Sequence, residues 1–258
     1  MDLSWFYGTE AWWLALFAFL AGFMDAVVGG GGLIQLPALL IQLPQQPLPM
    51  LMGTNKLAGI AGTTTAAWQY GKRIKFNYRL LAWVSATAFV SAYAGAKLLH
   101  LFDEAFLRQL MLVLLVGMAL YTWFKKDLGM VAREFLPGKR STLYGVLLGG
   151  LVGFYDGFFG PGTGSLLVLG FVALLGFEFV QASAYAKLVN VVTNIAALLV
   201  FLGQGNYLPE LALLMALCHI GGSFLGTRQA LLRGNGFVRR VFLLVMLVMI
   251  VRYGLMIM

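Results

Sequence analysis

The sequence predicts an all-α integral membrane protein built from two inverted-topology repeats, with about ten membrane helices. Three observations predict it. The 258 residues are 60% hydrophobic and only 11% charged, where a soluble domain carries about 25% charged residues, so most of the chain belongs in lipid. GFMDAVVGGGG from Gly22 and GFYDGFFGPGTG from Gly153 follow one plan, 131 positions apart. The basic loops change sides between the two copies, as inversion demands.

Taken in order, the segments 11–28, 48–70, 78–100, 105–124, 141–160, 183–202, 208–232 and 236–257 are apolar. Each approaches the roughly 20 residues that cross a 30 Å hydrocarbon core. Two shorter apolar pieces, 33–43 and 163–177, follow the glycine clusters. The register holds beyond the motifs: NKL from Asn55 faces AKL from Ala186, Gly95 faces Gly226, Phe106 faces Phe237, and Arg108 faces Arg239. Residues 1–124 are therefore read as the first repeat, 125–140 as a cytoplasmic basic linker, and 141–258 as the second repeat.

Loop 71–79 holds Lys72, Arg73, Lys75 and Arg79 without an acid, which places it in the cytoplasm. Its partner in the second copy, 202–210, carries only Glu210, and the basic cluster moves to Arg228, Arg233, Arg239 and Arg240. An odd number of crossings per copy produces that change. Four full spans plus one short glycine-flanked helix make five, with both termini outside. Eight spans with re-entrant short helices would instead put Arg233, Arg239 and Arg240 outside, against the usual bias. Asp2 and Glu10 stand where a cleaved signal peptide is basic, so the first segment is expected to be retained as a span.

Each copy carries one Asp and one Lys within apolar sequence: Asp25 with Lys56, and Asp156 with Lys187. Charges at membrane depth are expensive and mark substrate or ion pathways. Gly29 to Gly32 and Gly160-Pro161-Gly162-Thr163-Gly164 are poor helix material, and non-helical backbone survives in a bilayer only when buried in protein or facing a cavity. Both runs are expected to interrupt a helix. The free N–H groups of Gly30, Gly31, Gly32, Gly162, Thr163, Gly164 and Ser165 would then face an anion. Close helix packing is the competing reading of membrane glycines, and it is preferred for Gly95 and Gly226.

Lys56 and Lys187 lie about eight residues into their spans, and are read either as salt-bridge partners of the two Asp residues or as the positive field of an anion pocket. Thr54, Asn55, Asn190 and Asn194 give them polar company, and Asn190 shares a helix face with Lys187. Asp25 and Asp156 are candidates either to cap an interrupted helix or to exchange the proton that couples transport.

The composition removes other classes. Cys218 is the single cysteine, and only His100 and His219 are present, so no metal cluster is readable. No GxxxxGK[ST], GxSxG or HExxH occurs, which argues against ATP-driven transport and against an intramembrane enzyme. No catalytic residue, metal or cofactor is expected. The net charge of +8 sits in loops that orient the chain, so nucleic acid is not an expected partner. The expected partners are a small anionic substrate and the lipid bilayer, with homo-oligomer formation left open.

At GFMDAVVGGGGLIQLPAL, GTNKLAG, GFYDGFFGPGTGS and AKLVNVVTNI the chain resembles the TauE/SafE family of sulfite exporters, the TSUP anion transporters. The resemblance covers essentially the whole chain. It implies a multi-pass protein of the bacterial inner membrane that transports sulfite, sulfoacetate or related sulfur-containing anions. The family's Asn-Lys motif falls fully on Asn55-Lys56, whereas Ala186 precedes Lys187. A secondary transporter working by alternating access is the leading expectation, possible proton coupling included, with an anion channel as the alternative and an intramembrane enzyme as the weaker one.

Overall fold

The structure, a computed structural model, describes residues 9–99 and 139–257. The expected span 105–124 and the expected linker up to residue 138 lie outside the described residues. Among those described there are eight helical elements and no strand. These are α1 (Thr9–Val28), α2 (Gly32–Gln42), α3 (Leu48–Gly71), α4 (Tyr78–Leu98), α5 (Lys139–Phe158), α6 (Thr163–Leu175), α7 (Phe179–Gly203) and α8 (Pro209–Ile257). The last is interrupted at Gly234, whose φ of 67° and ψ of −164° are non-helical, so the expected division near residues 233–235 is present.

Helix boundaries follow local chemistry. Pro47 precedes α3, where an absent N–H costs nothing. The Asn77 side chain accepts the Leu80 N–H at 3.1 Å and caps α4. Asn235, just past the α8 break, accepts the Val180 N–H at 3.0 Å and donates to Glu178 at 2.9 Å. It thereby holds the start of α7 against that break.

Among the described residues, three helices, at 11–28, 179–203 and 209–241, are both long and apolar enough to cross a membrane. α3, α4 and α5 have 24, 21 and 20 residues, which is sufficient length at 1.5 Å per residue. In α3 the lower hydropathy comes from polar residues turned into the bundle, such as Thr54, Lys56 and Thr63, all buried. The side chains left exposed outside are large and apolar, among them Leu151, Leu213 and Val90. The protein is apolar outside and polar at selected points within, as lipid requires.

The register of the sequence is also a register of elements. α2 and α6, α3 and α7, and α4 and α8 begin 131 residues apart. The most extensive packing runs between copies, α1 along α8 and α4 along α5, with α3 on α8, α4 on α7, and α3 against α7 at the centre. Exchanging the copies maps this set of pairings onto itself. Gly95 and Gly226 serve close packing: an added Cβ would lie 2.2 Å from the Phe154 carbonyl oxygen in one case and 2.4 Å from the Phe23 oxygen in the other. Phe154 and Phe23 are themselves counterparts in the repeat.

Candidate anion-binding site

The two glycine clusters form the breaks expected of them, and the breaks touch. Gly29 ends α1 with φ of 78°, while Gly160 and Gly162 separate α5 from α6 with φ of 92° and 85°. These are left-handed conformations that glycine adopts without steric cost. A Cβ on Gly29 would lie 2.1 Å from the Gly164 carbonyl carbon, and one on Gly164 would lie 2.4 Å from the Gly29 Cα. Only glycine at both positions allows the two chains to cross there.

Breaking a helix inside a membrane protein leaves carbonyls that no water can satisfy. Side chains from three other helices supply the donors at the end of α1. Tyr70 Oη donates to Ala26 O at 3.1 Å, Ser183 Oγ to Val27 O at 3.1 Å, and Ser165 Oγ to Val28 O at 2.9 Å. In the second copy Tyr155 Oη donates to Pro161 O at 2.7 Å. Ser165 thus bonds backbone and does not line the cavity.

Where the breaks cross lies a polar cavity of about 40 Å³. One buried water needs roughly 10–15 Å³ on this measure, so the space suits a group of a few heavy atoms. The starts of α2 and α6 meet it through Gly32 and Gly164, bringing two positive dipole ends to one point; the Leu33, Ile34 and Thr163 N–H groups, the last expected to be free, donate instead to the carbonyls of Gly30, Gly31 and Gly160.

The charged residues pair across the copies. Lys56 Nζ lies 3.0 Å from Asp156 Oδ1 and donates to Asn194 Oδ1 at 3.2 Å. Lys187 Nζ lies 3.0 Å from Asp25 Oδ2. Thr163 donates to Asp156 at 2.8 Å, and Thr63 donates to Asp25 at 2.9 Å. The sequence left open which Asp each Lys meets; in both cases it is the other copy's. The pairs are not equivalent in setting. Lys56 lines the cavity, whereas Lys187 is fully buried behind Asp25 and does not.

Of the residues singled out in sequence, Asp25, Gly32, Asn55, Lys56, Asp156, Gly162, Thr163, Gly164, Asn190 and Asn194 line the cavity. Asn194 Nδ2 donates to Asn190 Oδ1 at 3.2 Å, which orders that wall. Gly30, Gly31, Thr54, Ser165 and Lys187 are not on its lining. Thr54 instead bonds Met50 O at 2.7 Å and accepts the Leu208 N–H at 2.9 Å. A Cβ on Gly31 would meet Asp25 Cβ at 2.6 Å, so Gly31 admits the Asp25 side chain.

Sequence reasoning did not single out Gln35, Gly59, Thr63 or His219, which also line the cavity. Gly59 and Thr63 follow Lys56 by three and seven residues, one helix face, so a signal existed. Gln35 is a lone amide in an apolar helix, and its Nε2 is buried without a protein partner. It is a donor free to meet an anion. His219 gave no such signal, because its counterpart in the first copy is Ala88.

The sequence pattern of the TauE/SafE sulfite exporters matches residues 14–253. The chain belongs to the TauE/SafE sulfite exporter family. Similar proteins include a probable membrane transporter protein of Haemophilus influenzae, 35% identical over 86% of this chain and 85% of the relative. A probable membrane transporter protein of Sinorhizobium is 37% identical over 91% and 88%. The probable membrane transporter protein YfcA of Escherichia coli K12 is 35% identical over 90% and 85%. No solved structure matches the chain. Membership in the TauE/SafE family, bacterial relatives named as transporters, and apolar helices identify a membrane protein of a transporter family.

Proposed function

We propose that this chain is a secondary transporter that carries a small anion, sulfite or a sulfur-containing organic anion such as sulfoacetate, across the bacterial inner membrane. The observation that carries the reading is the polar cavity where two interrupted helices present their N-termini beside Lys56. The family's name, sulfite exporter, supplies the substrate class.

Electrostatics narrow it. Lys56 offsets Asp156, and Lys187 offsets Asp25, so the side chains sum to no net charge. What remains is about half a positive charge at each of two helix starts. A field of roughly one positive unit suits a monoanion, hydrogen sulfite or a singly charged organic acid, better than a bare dianion. The volume of about 40 Å³ favours the inorganic anion over sulfoacetate unless the cavity opens further. Gln35 Nε2, Lys56 Nζ and the N–H groups of Gly32 and Gly164 are the donors that would hold its oxygens.

Movement follows from the arrangement of the copies. The substrate sits where the repeats cross, and inverted repeats that exchange conformations would open the cavity to one side and then the other. Proton coupling has a concrete route through Asp156, whose Oδ2 is buried without a protein partner. Protonating that carboxyl releases Lys56 toward the anion, so proton and anion bind together. Deprotonation restores the ion pair and expels the anion. Uptake of labelled sulfite into proteoliposomes, with sulfate, sulfoacetate and taurine as competitors, tests the reading. It expects saturation, with strongest competition from small monoanions. Flux rising linearly with concentration and indifferent to competitors would leave a channel in its place.

A further inference from the structure

A second cavity, of about 870 Å³, lies between α3, the start of α7 and α8 at its Gly234 break. It shares no lining residue with the anion cavity. Its size is that of a site for a sizeable ligand. Lys72, Arg73 and Arg228 line one part of it, and among the described residues no ion pair engages them. Glu178, the acid on the lining, is already held by Asn235 at 2.9 Å. Gln69 adds a buried amide nitrogen with no protein partner.

The remaining wall is apolar and open. Trp68, Phe224 and Leu232 are 59%, 46% and 70% exposed, as side chains are that meet lipid. Lys72 Nζ stands 3.2 Å above the Trp68 ring, an ammonium over an indole at the level where a bilayer turns polar. Of the equivalent positions in the other copy, Leu199 for Trp68, Gly203 for Lys72 and Gln204 for Arg73 carry no charge, and Lys97, for Arg228, carries the single one. Among the described residues the three cations therefore converge at one end of the molecule, the end that loop 71–79 assigns to the cytoplasm, with no matching trio in the other copy.

A soluble anion would gain nothing from the exposed indole and aliphatic wall, and helix packing alone would gain nothing from three unpaired cations. An anionic phospholipid uses both. We infer that this groove binds an anionic phospholipid of the inner leaflet, of the phosphatidylglycerol class. Its phosphodiester meets Lys72, Arg73, Arg228 and the Gln69 amide, and its acyl chains run along Trp68, Phe224 and Leu232. Bound there, the lipid bridges α3, α7 and the α8 break.

The test titrates the purified full-length protein in neutral detergent with short-chain phosphatidylglycerol, phosphatidylcholine, glycerol 3-phosphate and sulfite, following the melting temperature. Phosphatidylglycerol should raise it saturably and phosphatidylcholine should not. Each basic residue should contribute about five-fold in affinity, so Lys72→Gln with Arg73→Gln and Arg228→Gln should lose roughly a hundred-fold. Lys97→Gln, at the far end of α4, should change nothing. Should the triple variant fail to fold, Arg228→Gln alone should lose about five-fold while Arg228→Lys retains binding. Equal response to both lipids, or unaltered phosphatidylglycerol binding in the variants, overturns the inference. Glycerol 3-phosphate acting as strongly as the lipid would make it a soluble phosphate site, and competition by sulfite would make it a vestibule of the transport path; either result also overturns it.

Discussion

Lys56 is the residue at which fold and proposed function can be separated by substitution. Lys56→Met keeps most of the side chain's volume and removes the charge that stands 3.0 Å from Asp156 and 3.2 Å from Asn194. Two consequences follow, of different size. Asp156 is left as a buried, uncompensated carboxylate with Thr163 as its remaining donor, and breaking a buried pair from one side costs about 3–5 kcal/mol of stability. The anion loses a charge-assisted hydrogen bond, about 1.5–3 kcal/mol, or roughly ten- to a hundred-fold in affinity. The double variant Lys56→Met with Asp156→Asn removes both charges together, which brings stability back toward that of the unaltered protein. It does not bring back the ammonium. Melting temperature in detergent and calorimetric titration with sulfite at fixed pH read the two effects independently. The double variant should melt near the unaltered protein and bind sulfite at least about ten-fold more weakly. Unaltered sulfite affinity in that variant would reduce Lys56 to half of a structural ion pair.

Lys187→Met with Asp25→Asn is the mirror experiment, and because Lys187 is off the lining its sulfite affinity should stay within a few-fold of the unaltered protein in the same titration. Gly59→Ala should express and melt normally, since nothing lies within 4 Å of the added Cβ, yet bind sulfite more weakly because the methyl enters the cavity. Gly29→Ala meets the Gly164 backbone at 2.1 Å and should abolish folded protein, as judged by size-exclusion chromatography. For proton coupling, Asp156→Asn should flatten the pH dependence of uptake while retaining anion binding; if the uptake profiles of Asp25→Asn, Asp156→Asn and the unaltered protein coincide, neither carboxylate carries the proton. Single cysteines at Lys75 and Tyr207, in a Cys218→Ser background, should label from opposite faces of the membrane, and labelling from one face would refute inversion.

Much of this arrangement was legible because duplication amplifies weak signals. Four glycines in a row are ambiguous alone; the same interruption 131 residues later, with Asp25 and Asp156 in register, points to a shared purpose. The breaks at Gly29 and Gly160, and the division of α8 at Gly234, follow from glycine's backbone freedom and were readable. The cross-copy ion pairs were not, because nothing in the spacing of Asp25, Lys56, Asp156 and Lys187 says which copy supplies the partner. That depends on α3 and α7 meeting at the centre, a tertiary fact. For the same reason Thr54 and Ser165 were indistinguishable in sequence from cavity-lining hydroxyls, although they satisfy backbone groups. In sequence His219 is weighed only as a metal ligand and not as a cavity residue, because it breaks the symmetry that made the other residues visible.

Counterflow in proteoliposomes reaches the proposal of a carrier most directly. Vesicles loaded with unlabelled sulfite and diluted into a trace of labelled sulfite should accumulate label transiently above equilibrium, because a carrier returns inward with outside substrate bound. The overshoot should grow with internal sulfite and vanish in Lys56→Met with Asp156→Asn, a variant whose folding the melting curve verifies beforehand. Label that equilibrates monotonically, at a rate indifferent to internal sulfite, would mean that the cavity at the crossing of the two breaks does not alternate between the two sides.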